Sequence, residues 1–372
     1  MSKRAVFEEV GGAKSAAIVA APAKAPARAA IALWLWGLTF LVAAMVLVGG
    51  LTRLTDSGLT ITVWDPVMGA LPPLSAADWD RAFAMYQTTT EFQEQNAWMS
   101  LADFKPLFWW EWGHRFFGRV IGIVWAVGFL GFWAAGRIPA GWHGRLLIPG
   151  LLGGLQGAVG WWMVASGLDK LDVASYRLAT HLGLAFVIFM LLVWAALKIR
   201  LDEVESLKAR RRRAAWPAWF AGGVTALVFL QIVSGALVAG IDAGRGYVDW
   251  PLMQGEFLPS HAFHISPLWH NFFENAALVQ FNHRMLGYLV GLAALPLAVS
   301  ALSSREGRVS TWGGLAVAMV VAQIVIGIWT VVNAAPLEIA IFHQGGALVL
   351  VFLLLRARFE ACYPAERRIA RG

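Results

Sequence analysis

The sequence has little charge and almost no cysteine. Of its 372 residues, only 14% are charged, and Cys362 is the single cysteine. One thiol excludes an intramolecular disulfide and a thiolate metal cluster. The low charge stands beside 58% hydrophobic residues, including 20 Trp and 22 Phe, which is far from the composition of a soluble domain. The composition therefore predicts an integral membrane protein.

Long apolar runs set the fold class. A helix needs about 20 apolar residues to cross a bilayer. Eight runs meet that length, and the sequence predicts an all-α membrane protein with eight spans. They lie near 31–51, 107–135, 145–165, 175–197, 217–240, 275–301, 311–332 and 337–357.

The net charge of +7 does not indicate nucleic-acid binding, because the basic residues lie between the apolar runs. Segments on the side of the two termini hold 21 of the 30 lysines and arginines, and the opposite loops hold six. This bias predicts that both termini are cytoplasmic. The basic segment Arg210 to Arg213 fits either a positive-inside anchor or contact with anionic membrane lipid.

The sequence contains a duplicated unit with two histidines in each copy. FWWEWGHRFFGR, from Phe108 to Arg119, shares His-Arg-x-x-Gly with LVQFNHRMLGY, from Leu278 to Tyr288. His181 and His343 begin two further apolar runs in the same order. We therefore predict two tandem, pseudo-symmetric four-helix bundles. The predicted parts are a basic tail 1–29, a bundle 30–198, a cytoplasmic linker 199–216, a bundle 217–357 and a tail 358–372.

The four histidines are expected at a similar depth, six to eight residues inside helices that start on the same side. A single membrane histidine could simply bond a neighbouring carbonyl. Four in a duplicated pattern favour a site, because ionisable groups are costly in a bilayer. Haem iron takes an axial imidazole on each face, whereas copper or zinc is less favoured because no Cys or Met clusters with these histidines.

Other residues near the histidines allow two interpretations each. Glycines such as Gly118, Gly183 and Gly287 could leave room for a flat macrocycle or serve close helix packing. The side chains of Arg115, Arg119 and Arg284 could pair with haem propionates or reach toward the membrane interface. In a loop, His261 and His264 could bind a metal, although a solvated loop is the default expectation.

The two copies differ at one polar position. Glu111 precedes His114 by three residues, and the matching position before His283 is Gln280. A carboxylate in one copy and an amide in the other suggests that the first site does proton or cation chemistry. Alternatively, Glu111 faces water near the start of its helix, where the helix dipole favours it.

The motifs EWGHRxxGR, THLxxA, NHRxxGY and FHQxxA, with GGLTRLTDSGL after the first span, strongly resemble the haem A synthase family. The resemblance covers the chain from about residue 30. The outer-loop cysteine pair of some bacterial members is absent here, so the chain resembles the proteobacterial and mitochondrial branch of the family. The resemblance implies oxidation of the C8 methyl group of haem O to a formyl group, with water as the oxygen source, in a bacterial inner membrane.

The resemblance also implies roles for single residues. His114 and His181 would bind the substrate haem O. A resident haem b would take its axial ligands from the second copy, with electrons passing on to a quinone-like acceptor. Glu111 would act beside the substrate. The second-copy ligands of haem b would be His283 and His343.

Two other functions stay open. A di-haem membrane cytochrome b could carry electrons without altering either haem, although a symmetric carrier needs no lone carboxylate. A transporter with repeated halves usually has helices broken at mid-depth, which the sequence does not indicate. A homo-oligomer, or a complex with haem O synthase or other cytochrome oxidase assembly factors, is compatible with the sequence. The haem sites are expected toward the periplasmic side.

Overall fold

The computed structural model describes residues 26–365, and these form an all-helical structure. Eight helices are long and apolar enough to cross a membrane, which confirms the predicted fold class and number of spans. They are α1 (Arg28–Leu54), α3 (Leu101–Ala134), α4 (His143–Val164), α5 (Ser175–Lys198), α7 (Ala215–Gly240), α9 (Ala276–Leu302), α10 (Gly307–Val332) and α11 (Leu337–Cys362). Three shorter helices are α2 (Ala76–Tyr86), α6 (Glu203–Arg211) and α8 (Asn271–Glu274).

Two helix ends differ by five residues or more from the expected boundaries. Helix α3 begins at Leu101, six residues before the predicted 107, because Ser100 and Asp103 form a reciprocal capping box. His114 therefore lies further from its helix start than the other three histidines do. Helix α11 continues to Cys362, beyond the predicted end at 357.

The spanning helices pack in two groups. In the first, α1 contacts α3 and α5, while α4 contacts α3 and α5. In the second, α7 and α10 each contact α9 and α11. The groups meet where α5 packs against α7 and α1 packs against α11. The boundaries of the predicted bundles and the cytoplasmic position of the termini stay predictions, and residues 1–25 of the predicted tail lie outside the described residues.

The predicted linker between the groups contains a helix. Asp202 caps α6 through a capping box with Glu205, and the last turn of α6 is basic. Acidic residues at the start and basic residues at the end both complement the helix dipole. The connection between the two groups is therefore ordered over much of its length.

We call the end of the molecule formed by residues 55–100, 165–174 and 241–275 the loop face. There, the side chain of Arg53 at the end of α1 forms ion pairs with three aspartates. Its guanidinium lies 2.7 Å from Asp56, 3.6 Å from Asp172 and 3.1 Å from Asp242. Asp242 follows α7, so this arginine joins the two helix groups.

A small aromatic core stands on the loop face beside α3. Tyr86 of α2 and Phe104 of α3 are fully buried, and their rings stack with centroids 5.3 Å apart. Phe108 packs in the same cluster, and Ile61 lies against it. Each such buried side chain contributes roughly 1.5–3 kcal/mol to folding. This core fixes the long first loop against the start of α3.

Candidate functional site

The structure brings the first two histidines together. His114 of α3 and His181 of α5 face each other with ring centroids 6.5 Å apart and a tilt of 58° between the ring planes. Both residues are half-buried. With a metal–nitrogen bond of about 2 Å on each side, two imidazoles that bind one iron have ring centres roughly 6 Å apart. The spacing of this pair therefore fits two axial ligands of a haem iron.

Two of the histidines have an unsatisfied ring nitrogen. The Nδ1 atoms of His181 and His343 are buried and have no hydrogen-bond partner within residues 26–365. A buried polar atom without a partner costs about 1–3 kcal/mol, so rings held in this way are expected to have a ligand. The chemistry of these two side chains is thus compatible with axial ligation in each helix group.

A glutamine orients the third histidine. Gln231 of α7 donates from Nε2 to the backbone carbonyl of His283 at 2.9 Å, and the same atom lies 3.2 Å from Nδ1 of the ring. In the first group, Gln156 of α4 donates to the carbonyl of His181 at 3.0 Å. Amide side chains from neighbouring helices therefore anchor a histidine backbone in each group.

Each histidine ring lies against a glycine of a neighbouring helix. A Cβ atom added at Gly49 would lie 3.2 Å from His114, and one at Gly160 would lie 3.0 Å from His181. In the second group, a Cβ at Gly235 would lie 3.0 Å from His283, and one at Gly327 would lie 3.2 Å from His343. We call these four positions the glycine cradles. A side chain there would push the imidazole out of place.

The glycines named from the sequence have other neighbours. A Cβ at Gly118 would meet Met45, one at Gly183 would meet Val233, and one at Gly287 would meet Gln231. These contacts are those of close helix packing. The cradles lie instead on the helices opposite the histidines.

The Gly235→Ala substitution tests the cradles. The added methyl group would displace the His283 ring by a few tenths of an ångström, and ligand sites tolerate only about 0.5 Å. We expect haem bound per purified chain to fall severalfold, measured by haem extraction. Gly223→Ala on the same helix is the matched control, because a Cβ there meets nothing within 4 Å. Equal haem content in the two variants would show that the cradle is not required.

Glu111 is buried and fully engaged in hydrogen bonds. Its side chain is only 3% exposed, so the alternative interpretation, that Glu111 faces water, is wrong. One oxygen, Oε2, accepts from the Thr60 hydroxyl at 2.6 Å and from the Ile61 N–H at 2.8 Å. The other, Oε1, accepts from Arg115 at 2.5 Å. A single arginine and two neutral donors thus hold this carboxylate one helical turn before His114.

In the second helix group, the neutral amide of Gln280 takes the place of the Glu111 carboxylate. Gln280 is 2% exposed, donates from Nε2 to the carbonyl of Tyr247 and accepts from Arg284 at 3.2 Å. In both groups an arginine four residues later links the polar side chain to the loop face. The arrangement places a negative charge beside the first histidine pair and a neutral amide beside the second.

The three arginines predicted near propionates bind the loop face. Arg119 donates to the carbonyls of Asp65 and Pro66, and Arg284 donates to those of Tyr247 and Leu252. Neither has a carboxylate within ion-pair distance in the described part of the chain, whereas Arg115 is paired with Glu111. Their contact with propionates stays a prediction.

The loop histidines do not gather metal ligands. His264 bonds the carbonyl of His261 at 2.6 Å and contacts Asn275. Within residues 26–365, no group of three His, Cys, Asp or Glu side chains is placed to hold a metal ion. The default expectation of a solvated loop fits these contacts.

Several residues of the site escaped the sequence analysis. Thr60 and Ile61 hold Glu111 from about 50 residues away, and Gln231 reaches His283 from another helix. One signal was present for the first pair, because both directly follow the motif GGLTRLTDSGL. The cradle at Gly235 had a signal too, since Gly49 and Gly235 occupy matching positions of the repeat.

The region of this chain that matches known proteins includes all four histidines and Glu111. The sequence profile described as cytochrome oxidase assembly protein matches residues 32–355. The chain is 53% identical to the haem A synthase of Ruegeria pomeroyi over 378 residues, which covers 99% of each chain. Identity is 53% to the haem A synthase of Dinoroseobacter shibae, over 97% of each chain. With the haem A synthase of Cereibacter sphaeroides (strain ATCC 17029) it is 49%, covering 100% of this chain and 99% of the relative.

Proposed function

The chain belongs to the haem A synthase family of cytochrome oxidase assembly proteins, and we propose that it converts haem O to haem A. The reaction oxidises the C8 methyl group of the porphyrin to a formyl group by successive hydroxylations. The observation that carries the proposal is the buried carboxylate of Glu111 before the first histidine pair, where the second group has the amide of Gln280. A chain that only carried electrons would need no such difference.

The first pair is the substrate site in this proposal. His114 and His181 bind the iron of haem O, since the separation of their rings suits two axial ligands. Arg119, which has an unpartnered buried Nη1 atom and no paired carboxylate, faces a propionate of the substrate. Arg115 serves mainly to hold Glu111 in place.

Glu111 acts on the methyl carbon. Hydride or electron removal leaves positive charge at this carbon, and a fixed carboxylate in a dry site stabilises such charge. The same carboxylate can accept a proton from an attacking water. A second hydroxylation gives a geminal diol, which loses water to form the aldehyde. Methyl group plus one water thus yields the formyl group, four protons and four electrons.

The second pair holds the resident cofactor. His283 and His343 would hold the iron of haem b, since each ring lies in a glycine cradle and Gln231 fixes the first of them. When bound, haem b supplies one-electron transfer. A quinone-like molecule is the proposed final acceptor, and the bacterial inner membrane, with both sites toward the periplasm, is the proposed location. Docking of haem O synthase or assembly factors, and a homo-oligomer, stay open.

Haem extraction and isotope labelling test the function. We expect the purified protein to contain haem b together with haem O or haem A, separated by chromatography of the acid-acetone extract. In labelled water, the formyl oxygen of new haem A should carry the label. Two equivalents of haem b per chain and no other haem would favour an electron carrier. A formyl oxygen from dioxygen would overturn the role of water.

A further inference from the structure

One buried carboxylate on the loop face has no cation beside it. Three glutamates are buried among residues 26–365, namely Glu91, Glu111 and Glu360. Glu111 is paired with Arg115, and Glu360 is paired with two arginines. Glu91, which is 5% exposed, has no lysine or arginine within ion-pair distance in this part of the chain. An unpaired buried carboxylate is costly in its charged form, so its position calls for an explanation.

The partners of Glu91 are neutral. The Tyr86 hydroxyl donates to Oε1 of Glu91 at 2.7 Å, and Asn96 donates from Nδ2 to the tyrosine oxygen at 2.8 Å. The same amide lies 3.4 Å from Glu91 Oε1. These donors support the carboxylate without neutralising it. Glu91 can therefore exist in either protonation state without breaking an ion pair.

The charged groups around Glu91 favour its protonated form. Burial raises the pKa of Glu91 to about 7, and the hydrogen bond from Tyr86 opposes that shift. The negative charges of Asp56 after α1, Asp172 before α5 and Glu111 on α3 act in the same direction as burial and are part of this rise in pKa. Glu91 therefore changes its charge near neutral pH and responds to the charge of Glu111.

We propose that Glu91 is the second proton acceptor of the reaction, which takes protons from Glu111 and releases them to water at the loop face. The inference rests on the proposed function, since that reaction releases four protons for each formyl group. Glu91 acts through Glu111 and does not touch the substrate.

The proton balance is simple. A water O–H bond or a C–H bond breaks at the substrate, and the proton passes to the Glu111 carboxylate while the electrons leave to the acceptor. In this proposal the proton then moves on to Glu91, and Glu111 regains its charge. Both carboxylates border the same aromatic cluster, because the Ile61 N–H binds Glu111 and Ile61 packs in the cluster that contains Tyr86, the partner of Glu91. Release follows beside Asp56 and Asp172, whose side chains are 56% and 51% exposed. Arg53 holds both aspartates at this exit.

The test is the pH profile of haem A formation. In the unchanged protein the rate is expected to rise with pH through about 7, because only ionised Glu91 accepts a proton. Glu91→Gln should lower the rate at least about tenfold at high pH and remove this rise. Glu94→Gln is the matched control, since Glu94 is exposed in the same segment. Its profile should match that of the unchanged protein.

Tyr86→Phe separates proton transfer from a structural role. Loss of the hydroxyl removes a bond that favours ionised Glu91, so the rise in rate should move about one pH unit upward. The rate at high pH should be kept. A profile that stays in place in Tyr86→Phe, or a Glu91→Gln profile that overlays the unchanged one, would overturn the proposal.

An infrared pH titration gives a readout that needs no turnover. The unchanged protein should show a carboxyl group that loses its proton near pH 7, and Glu91→Gln should lack that signal. A spectrum without this carboxyl would refute the inference even if haem A is made. If the unchanged protein forms no haem A, the proposed function fails, while the titration still decides whether Glu91 takes up a proton.

Discussion

Glu111→Gln is expected to lower haem A formation at least about 100-fold while haem is retained at both histidine pairs. The substitution keeps the size of the side chain and removes its charge. Loss of a fixed charge or of a general base at a reacting centre costs about 10²–10⁴ in rate. The rate is measured as haem O conversion in membranes, with haem content determined on the same samples.

The chain has an amide at the corresponding position of the second group. Gln280 is buried in the second group, and an arginine four residues later donates to it as Arg115 donates to Glu111. A glutamine at 111 leaves one of the donors from Thr60, Ile61 and Arg115 poorly matched, a cost of about 1–3 kcal/mol. The reverse change, Gln280→Glu, is the control and should leave conversion largely intact. Full haem A production by Glu111→Gln with both haems present would rule out the catalytic role.

His283→Ala is expected to remove haem b and to abolish conversion while the first site still binds haem O. An axial imidazole is a direct bond to iron, and the glycine cradle leaves no other side chain to replace it. The measurement is chromatography of haems extracted from the purified variant.

The matched variant is His114→Ala in the first group. It should lose the substrate haem and keep haem b, because the two pairs lie in different helix groups. Equal loss of both haems in the two variants would show that the sites are not separate. Loss of haem b from His114→Ala alone would exchange the roles of the two pairs.

Features that depend on local composition or on repetition could be predicted from the sequence. Long apolar runs predicted eight spans, and the motif around His114 and His283 identified the duplicated unit. Ser100 and Asp103 form a capping box and were a local signal for the early start of α3. The predicted start at 107 followed the apolar run instead.

Features that depend on tertiary contacts were not predictable in this way. The partners of Glu111 come from a loop about 50 residues earlier, and no periodicity marks them. The glycine cradles require knowing which helices pack together. Glu91 lies in a long irregular loop, and its burial follows from the aromatic core around Tyr86 and Phe104.

The ion pairs of Arg53 bear on the history of the duplicated chain. Asp56 and Asp242 occupy matching positions of the two copies, both have a left-handed backbone with φ of 48° and 49°, and one arginine binds both. The position that matches Arg53 in the second copy is Ala239. A second arginine there would bring two like charges to the same place. The contact is therefore one-sided, because the first copy supplies the arginine while both copies supply an aspartate.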